Sequence, residues 1–214
     1  MISHRTRIKI CGIRDPATGR AAAEAGADAI GFVFHAASPR AIDPEAAEAV
    51  ARVLPPFVAT IGLFINREAG AVREVLARVP LAMLQFHGDE TPDFCDQFGL
   101  PWIRAIRVGP EVDLLECAGR FPRAAALLLD AQVAGEFGGT GSVFDWALVP
   151  SALARPVVLS GGLDAGNVGR AIRAVKPWAV DVSSGVERER GVKDAGRIEE
   201  FVRSVRDADA RAGD

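Results

Sequence analysis

The chain has 214 residues, of which 49% are hydrophobic and 25% charged, and its formal net charge at pH 7 is −3. This length and balance are typical of one globular domain, and the small negative charge argues against a nucleic-acid partner or a basic membrane-binding face. No apolar run reaches the roughly 18 residues that a membrane span needs. The N-terminal MISHRTR also lacks the apolar stretch of a signal peptide. We therefore expect no membrane segment and no secretion.

Cysteine usage points to a reducing compartment. The three cysteines, Cys11, Cys95 and Cys117, are odd in number and far apart. Such a pattern fits neither a disulfide framework nor a zinc site, and no His, Asp and Glu cluster has the spacing of metal ligands. The sequence therefore predicts a cytoplasmic protein with no metal and no cofactor. Cys95 and Cys117 fall in helical segments, where we interpret them as packing residues.

Strand-like and helix-like segments alternate along the whole sequence. Eight apolar runs typical of β-strands occur at residues 7–13, 29–34, 57–65, 82–88, 102–108, 125–131, 156–162 and 179–185. Amphipathic helical segments lie between them or after the last, including 16–26, 44–54, 68–79 and 195–209. Strands that alternate with helices pair in parallel, and eight such units in about 200 residues predict a (β/α)8 TIM barrel of the α/β class. We expect residues 1–214 to form this single domain.

An open doubly wound sheet is the alternative architecture. The first strand–helix turn, CGIRDP, lacks the Gly-x-Gly-x-x-Gly fingerprint of that fold, which favours the barrel. Several helices begin with an N-cap residue before a proline, namely at Asp15, Asp43 and Thr91. Asp164 is a further predicted N-cap. The last dozen residues, RSVRDADARAGD, are expected to be a fraying helix end.

The first strand ends in a lone cysteine followed by glycine. Because side chains alternate along a strand, Ile8 and Ile10 share the face toward the helices, while Lys9 and Cys11 point into the barrel. Cys11 would then lie at the rim where the strands end and the βα loops begin, which is the functional face of such barrels. The alternative is a buried structural cysteine. Lys9, on the same face, is a candidate for favouring the thiolate.

Other strands also end in polar residues at this rim. Asp130 ends an otherwise apolar run, and a buried carboxylate there either caps the next loop or works in a site. His87 follows the fourth strand and has structural or solvated alternatives. Arg40 is either a surface charge or a guanidinium that binds a carboxylate through two hydrogen bonds. Asp181 points inward on the last strand, where it would help to position a sugar or simply pair with Lys9.

Two glycine-containing turns follow the seventh and eighth strands. They contribute Gly161 and Gly162, then Ser183, Ser184 and Gly185. Glycine lets backbone N–H groups approach an anion, and these two loops are a frequent phosphate site in barrels. The alternative is a pair of ordinary tight turns. A third glycine cluster, in residues 135–146, is suited to flex over a bound ligand.

Ordered motifs cover nearly the whole chain. They are KICGI (9–13), GADAIGFVF (26–34), SPR (38–40), LQFHG (84–88), LLLD (127–130), GGTGSVFDW (138–146), LSGGL (159–163), NV (167–168), DVSSGVE (181–187) and KD (193–194). Single motifs of this kind are common, but their combination in one order is specific. In this order they resemble the phosphoribosylanthranilate isomerases of tryptophan biosynthesis.

The resemblance implies an Amadori rearrangement in a single-domain barrel. The substrate would be N-(5-phosphoribosyl)anthranilate and the product 1-(2-carboxyphenylamino)-1-deoxyribulose 5-phosphate. By the family pattern Cys11 is the general base, Asp130 is the general acid and Arg40 holds the anthranilate carboxylate. The turns at Gly161–Gly162 and Ser183–Gly185 would hold the phosphate. We expect the protein to be a monomer or a homodimer, with a small-molecule substrate and no macromolecular partner except a second copy of the chain.

Three other functions were weighed against this one. A related isomerase of histidine biosynthesis performs the same rearrangement, but that family carries Asp at the position of Cys11. A metal-dependent ribulose-phosphate epimerase would need several His and Asp ligands at the rim, where only His87 is available. A non-catalytic phosphometabolite-binding barrel would not need both Cys11 and Asp130.

Overall fold

Eight parallel strands close into a barrel in a computed structural model that describes residues 5–131 and 143–212, apart from the Ala212 side chain. Each strand pairs with its neighbours in chain order, and the eighth pairs with the first. The strands are β1 (Arg7–Cys11), β2 (Ala29–Val33), β3 (Ala59–Phe64), β4 (Met83–Phe86), β5 (Trp102–Val108), β6 (Ala126–Ala131), β7 (Val157–Leu159) and β8 (Ala179–Val182). The predicted (β/α)8 barrel is confirmed.

Helices follow most of the strands and cover the barrel. They are α1 (Pro16–Ala25), α2 (Pro44–Ala51), α3 (Ala69–Arg78), α4 (Pro92–Asp96), α5 (Leu114–Arg120), α6 (Val168–Val175) and α7 (Ala195–Ala212). Short 3-10 turns occupy Trp146–Leu148 and Ser184–Val186. After β8 comes an antiparallel hairpin that the sequence did not predict, formed by β9 (Glu187–Glu189) and β10 (Val192–Lys193). Within the described ranges no helix has the length and apolar character to cross a membrane.

Local capping explains where three helices begin. The side chains of Asp15, Asp43 and Thr91 accept hydrogen bonds from the backbone N–H groups of the third residue along, at 2.9, 2.8 and 3.3 Å. In each case a proline occupies the start of the helix, where its missing N–H costs nothing. These three predicted N-caps are confirmed.

One sequence prediction about a helix start is wrong. Asp164 is not the N-cap of α6, which begins at Val168 with Asn167 in that position. Asp164 instead closes the preceding turn, where its carboxylate accepts from the N–H groups of Gly166 and Asn167 at 2.8 and 2.9 Å. The C-terminal segment belongs to α7, which continues to Ala212, and its fraying stays a prediction. A tertiary contact joins this segment to the start of the chain, since the Asp209 carboxylate accepts from the backbone N–H and the hydroxyl of Thr6 at 2.8 and 2.7 Å.

The core has an outer and an inner layer. Ile8 and Ile10 are 2% and 0% exposed and belong to the large cluster that strands share with helices. Inside the barrel, Ile103, Leu128 and Val158 fill one end. Cys11 packs with Val33, Leu63 and Ile65 at the other end. The alternation predicted for β1 is therefore confirmed, with Cys11 inside the barrel.

Candidate active site

A cavity of about 240 Å³ opens at the end of the barrel where the strands finish. Six of the predicted site residues line it: Cys11, Arg40, His87, Asp130, Asp181 and Ser183. The other four, Gly161, Gly162, Ser184 and Gly185, lie in the loops that directly follow the lining residues Ser160 and Ser183. The sequence therefore identified six side chains, from five different strand ends, that meet at one cavity.

Cys11 reaches the cavity because β2 carries a glycine beside it. A Cβ atom at Gly31 would lie 2.9 Å from the Cys11 Sγ and 3.1 Å from the Lys9 Cε. The first contact is closer than a real Cβ atom makes and the second is tight, so Gly31 leaves the space that the thiol and the lysine occupy. The thiol is 5% exposed and lies next to Lys9, as the strand alternation predicted.

Lys9 forms a buried ion pair with Asp181. Its Nζ lies 2.8 Å from Oδ1 of Asp181, and the two residues are 3% and 5% exposed. Burial alone would lower the pKa of Lys9, but the Asp181 carboxylate and the Cys11 sulfur outweigh it and raise that pKa. The predicted pairing of Asp181 with Lys9 is confirmed, and Asp181 also lines the cavity.

The Cys11 thiol is subject to opposing influences. Burial raises its pKa above the ordinary value, since the apolar cluster solvates a thiolate poorly. The positive charges of Lys9 and Lys193 lower that pKa, while the Asp181 carboxylate raises it. The net direction is upward, so the protonated thiol predominates at pH 7. Lys9 therefore acts on Cys11 in the predicted sense, but burial has the larger effect.

Asp130 stands at the end of β6 with its carboxylate in the cavity. Its Oδ1 accepts from the N–H of Ala131 at 2.9 Å, and its Oδ2 lies 3.3 Å from Nε2 of His87. A Cβ at Gly161 would lie 2.5 Å from the Ala131 nitrogen and 3.1 Å from Oδ1 of Asp130. Gly161 also has a φ of 83°, so only glycine brings the β7 loop this close to the carboxylate without strain.

Gln85 supports His87 and was missed by the sequence analysis. Gln85 Nε2 lies 3.1 Å from Nδ1 of His87, and Gln85 is 0% exposed. In this assignment the amide donates to Nδ1, which places the ring proton on Nε2, toward Asp130. A polar residue at an inward position of the LQFHG motif was the available signal, because β4 is otherwise apolar.

Arg40 is not the surface charge that the sequence left open, because it is only 7% exposed. Its Nε and Nη2 donate to the two carboxylate oxygens of Glu187 at 2.7 and 2.9 Å. A Cβ at Gly12, whose φ is 81°, would lie 2.9 Å from the Arg40 Cδ. This contact explains the glycine after Cys11, since the stem of Arg40 packs where a side chain would stand.

Glu187 and Lys193 were not predicted as site residues. Lys193 Nζ donates to Oε1 of Glu187 at 2.7 Å and to the carbonyl and hydroxyl oxygens of Ser183 at 3.0 Å each. Burial alone would raise the pKa of Glu187, but hydrogen bonds and charge from Arg40 and Lys193 lower it to about 2. Their positions in the GVE and KD motifs were the only sequence signal.

The loops after β7 and β8 pack against each other. Gly161 and Gly162 have φ values of 83° and 62°, so two left-handed residues in succession turn the chain after Ser160. Asn167 holds this turn by donating to the carbonyl of Gly162 at 2.8 Å and accepting from the N–H of Asp164 at 3.0 Å. Gly185 lies against the carbonyl of Leu163, which leaves no room for a Cβ.

Two further sequence predictions concern metals and the third glycine cluster. Within residues 5–131 and 143–212, no three His, Cys, Asp or Glu side chains gather as metal ligands would. The glycine-rich stretch 135–142, expected to flex over a ligand, lies outside the described residues.

Comparison with known proteins agrees with this geometry. A family model described as N-(5'phosphoribosyl)anthranilate (PRA) isomerase matches residues 8–204. An N-(5'-phosphoribosyl)anthranilate isomerase of Pseudomonas putida (strain W619) is 56% identical over 202 residues, which are 94% of this chain and 98% of that protein. The protein of the same name from Methylibium petroleiphilum is 56% identical over 207 residues, 97% of each chain.

Two solved structures that resemble this one belong to the same family of isomerases. The phosphoribosyl anthranilate isomerase of Thermotoga maritima superimposes with a TM-score of 0.87 at 38% identity, covering 94% of this chain and 99% of that one. A phosphoribosyl anthranilate isomerase in complex with reduced 1-(o-carboxyphenylamino)-1-deoxyribulose 5-phosphate superimposes with a TM-score of 0.84 at 37% identity and the same coverage. The chain therefore belongs to the N-(5'-phosphoribosyl)anthranilate isomerase family.

Proposed function

We propose that the chain rearranges N-(5'-phosphoribosyl)anthranilate to 1-(2-carboxyphenylamino)-1-deoxyribulose 5-phosphate, with Cys11 as general base and Asp130 as general acid. Its family makes it an isomerase of tryptophan biosynthesis. The observation that carries the two roles is that a thiol from β1 and a carboxyl from β6 line one cavity. A sugar placed there is within reach of both groups from different sides.

The first step opens the ribose ring. The C1–O bond of the ring breaks as the ring oxygen takes a proton, and the nitrogen lone pair forms a C1=N⁺ iminium ion. Asp130 would give that proton, which a carboxyl group can do at neutral pH only where it is shielded from water or placed near negative charge. Asp130 is 4% exposed, and the substrate brings both a carboxylate and a phosphate. His87, 3.3 Å away, would orient the acid and contact the sugar.

The second step removes the proton from C2. The adjacent C=N⁺ acidifies that proton, and the Cys11 thiolate would take it to give an enolamine, which tautomerises to the ketone. The thiolate must form although burial raises the pKa of Cys11. The positive charges of Lys9 and Lys193 already oppose burial, and the iminium ion adds a further cation beside the sulfur. Asp181, which also lines the cavity, would hold the sugar.

Different devices would hold the two anionic ends of the substrate. Arg40 would bind the anthranilate carboxylate, since a guanidinium matches a carboxylate in geometry and charge. The phosphate would lie against backbone N–H groups of the glycine turns, helped by hydroxyl groups. These turn residues are Gly161, Gly162, Ser183, Ser184 and Gly185.

The remaining proposals concern the form of the protein. We propose one domain over residues 1–214, a cytoplasmic location and a small-molecule substrate with no macromolecular partner except another copy. A structure of the Thermotoga maritima isomerase is described as monomers generated from a dimeric enzyme. This supports keeping both a monomer and a homodimer as candidates for the present chain.

An anthranilate fluorescence assay tests the proposal. Purified protein should consume N-(5'-phosphoribosyl)anthranilate, and Cys11→Ala and Asp130→Asn should each lower kcat by about 10²-fold or more while remaining folded. The aminoaldose phosphate of histidine biosynthesis should not be consumed. Absence of turnover by the wild type would refute the activity, and normal turnover by both variants would refute the assigned roles.

A further inference from the structure

The hairpin β9–β10 carries a buried residue at each end. Glu187 is 6% exposed and Lys193 is 8% exposed, and both contact cavity-lining residues. We propose that Glu187 and Lys193 are positioning residues that hold the Arg40 guanidinium and the Ser183 turn in the geometry that the substrate requires. The inference rests on the proposed function, in which Arg40 binds the anthranilate carboxylate.

The contact between Glu187 and Arg40 fixes an orientation. Two parallel hydrogen bonds, Nε to Oε1 at 2.7 Å and Nη2 to Oε2 at 2.9 Å, hold the plane of the guanidinium against the plane of the carboxylate. A single contact would let the guanidinium swing about its stem. The bidentate pair leaves one orientation for the group that lines the cavity.

The Glu187 carboxylate accepts hydrogen bonds from two other groups besides Arg40. Oε1 also accepts from Lys193 Nζ at 2.7 Å, and Oε2 accepts from the N–H of Gly191 at 3.1 Å. With Arg40 this makes four donors on a group that has about four acceptor positions. Gly191 in turn packs on the carbonyl of Pro39, next to Arg40 in the chain, so the hairpin and the SPR loop are joined at two points.

Lys193 sets the charge of this cluster. Arg40 and Glu187 alone would be a neutral pair with little attraction for a carboxylate. Lys193 Nζ has three acceptors, one on Glu187 and two on Ser183, which matches the three donors of an ammonium group. Burial lowers the pKa of Lys193, and the Glu187 carboxylate opposes that shift by favouring the ammonium form. In that form Lys193 gives the cluster one net positive charge beside a cavity that is to receive two anionic groups.

Lys193 also connects the Arg40–Glu187 pair with the loop after β8 and with Cys11. Lys193 donates to the Ser183 hydroxyl at 3.0 Å, and that hydroxyl donates to the Cys11 carbonyl at 3.1 Å. A chain of hydrogen bonds thus runs from Arg40 through Glu187, Lys193 and the Ser183 hydroxyl. It ends at the backbone carbonyl of Cys11, the residue proposed as base. Among the described residues, Glu187 and Lys193 do not line the cavity themselves and reach it through Arg40 and Ser183, which is why these are positioning roles.

Glu187→Gln tests the proposal, with Glu189→Gln as matched control. Glutamine has the same shape but replaces one carboxylate oxygen by an N–H donor that cannot accept from Arg40 or Lys193. We expect kcat/KM to fall by roughly 10- to 100-fold, mostly through KM, because the lost orientation of Arg40 outweighs the added positive charge. The inhibition constant of free anthranilate should rise by a similar factor, and that of inorganic phosphate should change much less, because Lys193 keeps its two contacts with Ser183. Glu189 is exposed on the same strand, so its substitution should leave all these values unchanged.

A purely structural role would give a different pattern. If Glu187→Gln weakened anthranilate and phosphate equally, or left KM at the wild-type value, the proposal would be wrong. Thermal unfolding first establishes that the variant is folded. If it is not, Glu187→Asp keeps the charge but shortens the side chain by one methylene, and it must show the same selective rise in KM. Failure of the proposed function would appear separately, as absence of turnover in the wild type.

Discussion

The two groups proposed to handle protons share a cavity but not an electrostatic environment. Around the Cys11 sulfur are the ammonium groups of Lys9 and Lys193 and the carboxylate of Asp181. Around the Asp130 carboxylate are a backbone N–H and the ring of His87. Within the part of the chain that the structure describes, no Lys or Arg forms an ion pair with Asp130.

This difference matches the opposite tasks of the two residues. A base made from a buried thiol needs nearby cations, because burial disfavours the thiolate. A general acid needs surroundings without cations, because a cation beside a carboxylate would keep it ionised and unable to donate a proton. Among the described residues, two lysines lie near the Cys11 sulfur, and Asp130 on β6 forms no ion pair with a lysine or arginine. The same cavity can therefore hold a base and an acid.

The largest effect should follow from removing the thiol. Cys11→Ala should lower kcat by about 10²- to 10⁴-fold, the usual contribution of a general base. Cys95→Ala is the matched control, because Cys95 is also fully buried but belongs to α4 and the outer core. Steady-state kinetics on both variants checks this. An equal loss in the two variants would show that packing, and not proton transfer, explains the effect.

The next effect concerns stability on the Cys11 side. Lys9→Met should lower the free energy of unfolding by about 3–5 kcal/mol, because it leaves the Asp181 carboxylate buried without its partner. The double variant with Asp181→Asn should recover part of this loss. Lys176→Met, at an exposed lysine, is the control and should change stability by less than about 0.5 kcal/mol. Urea unfolding measures all three, and additive losses in the double variant would contradict the pairing.

A smaller effect is the pH dependence of the thiol. Because the pKa of Cys11 is raised above 9.0, its thiolate fraction at pH 7 lies below that of an ordinary thiol. Alkylation of the Cys11 peptide by iodoacetamide, followed by mass spectrometry, should quicken by about tenfold per pH unit from pH 7 to 9. No plateau should appear in that range. A plateau below pH 8 would mean that the lysines outweigh burial.

The smallest effect should come from the neighbour of the acid. His87→Gln removes a ring whose Nε2 lies 3.3 Å from Oδ2 of Asp130, close enough to orient that carboxyl, so kcat/KM should fall by roughly tenfold. Alkylation of Cys11 should be unchanged, since His87 is not among the groups that shift the pKa of the thiol. A change in thiol reactivity would show that the two environments are coupled.

Some of this site follows from local rules. The inward direction of Cys11 follows from the two-residue period of a strand, and the starts of α1, α2 and α4 follow from capping residues beside prolines. In these cases the residues that determine the local structure are only a few positions apart, so they can be read from the sequence. Asp164 shows the limit of such reasoning, because Asn167 lies only three residues further on and takes the N-cap position.

The rest depended on residues that are distant in the chain. The sequence by itself determined a barrel and the strand ends that carry a thiol, carboxylates and an arginine. Only the tertiary structure decided that Arg40 is held by Glu187, 147 positions away. It also decided between the two roles left open for Asp181, since that carboxylate pairs with Lys9, 172 positions away. The physical reason is barrel closure, which pairs β1 with β8 and brings charged groups from the two ends of the chain into one buried cluster. Burial then sets their charge states, and no local pattern of residues encodes that.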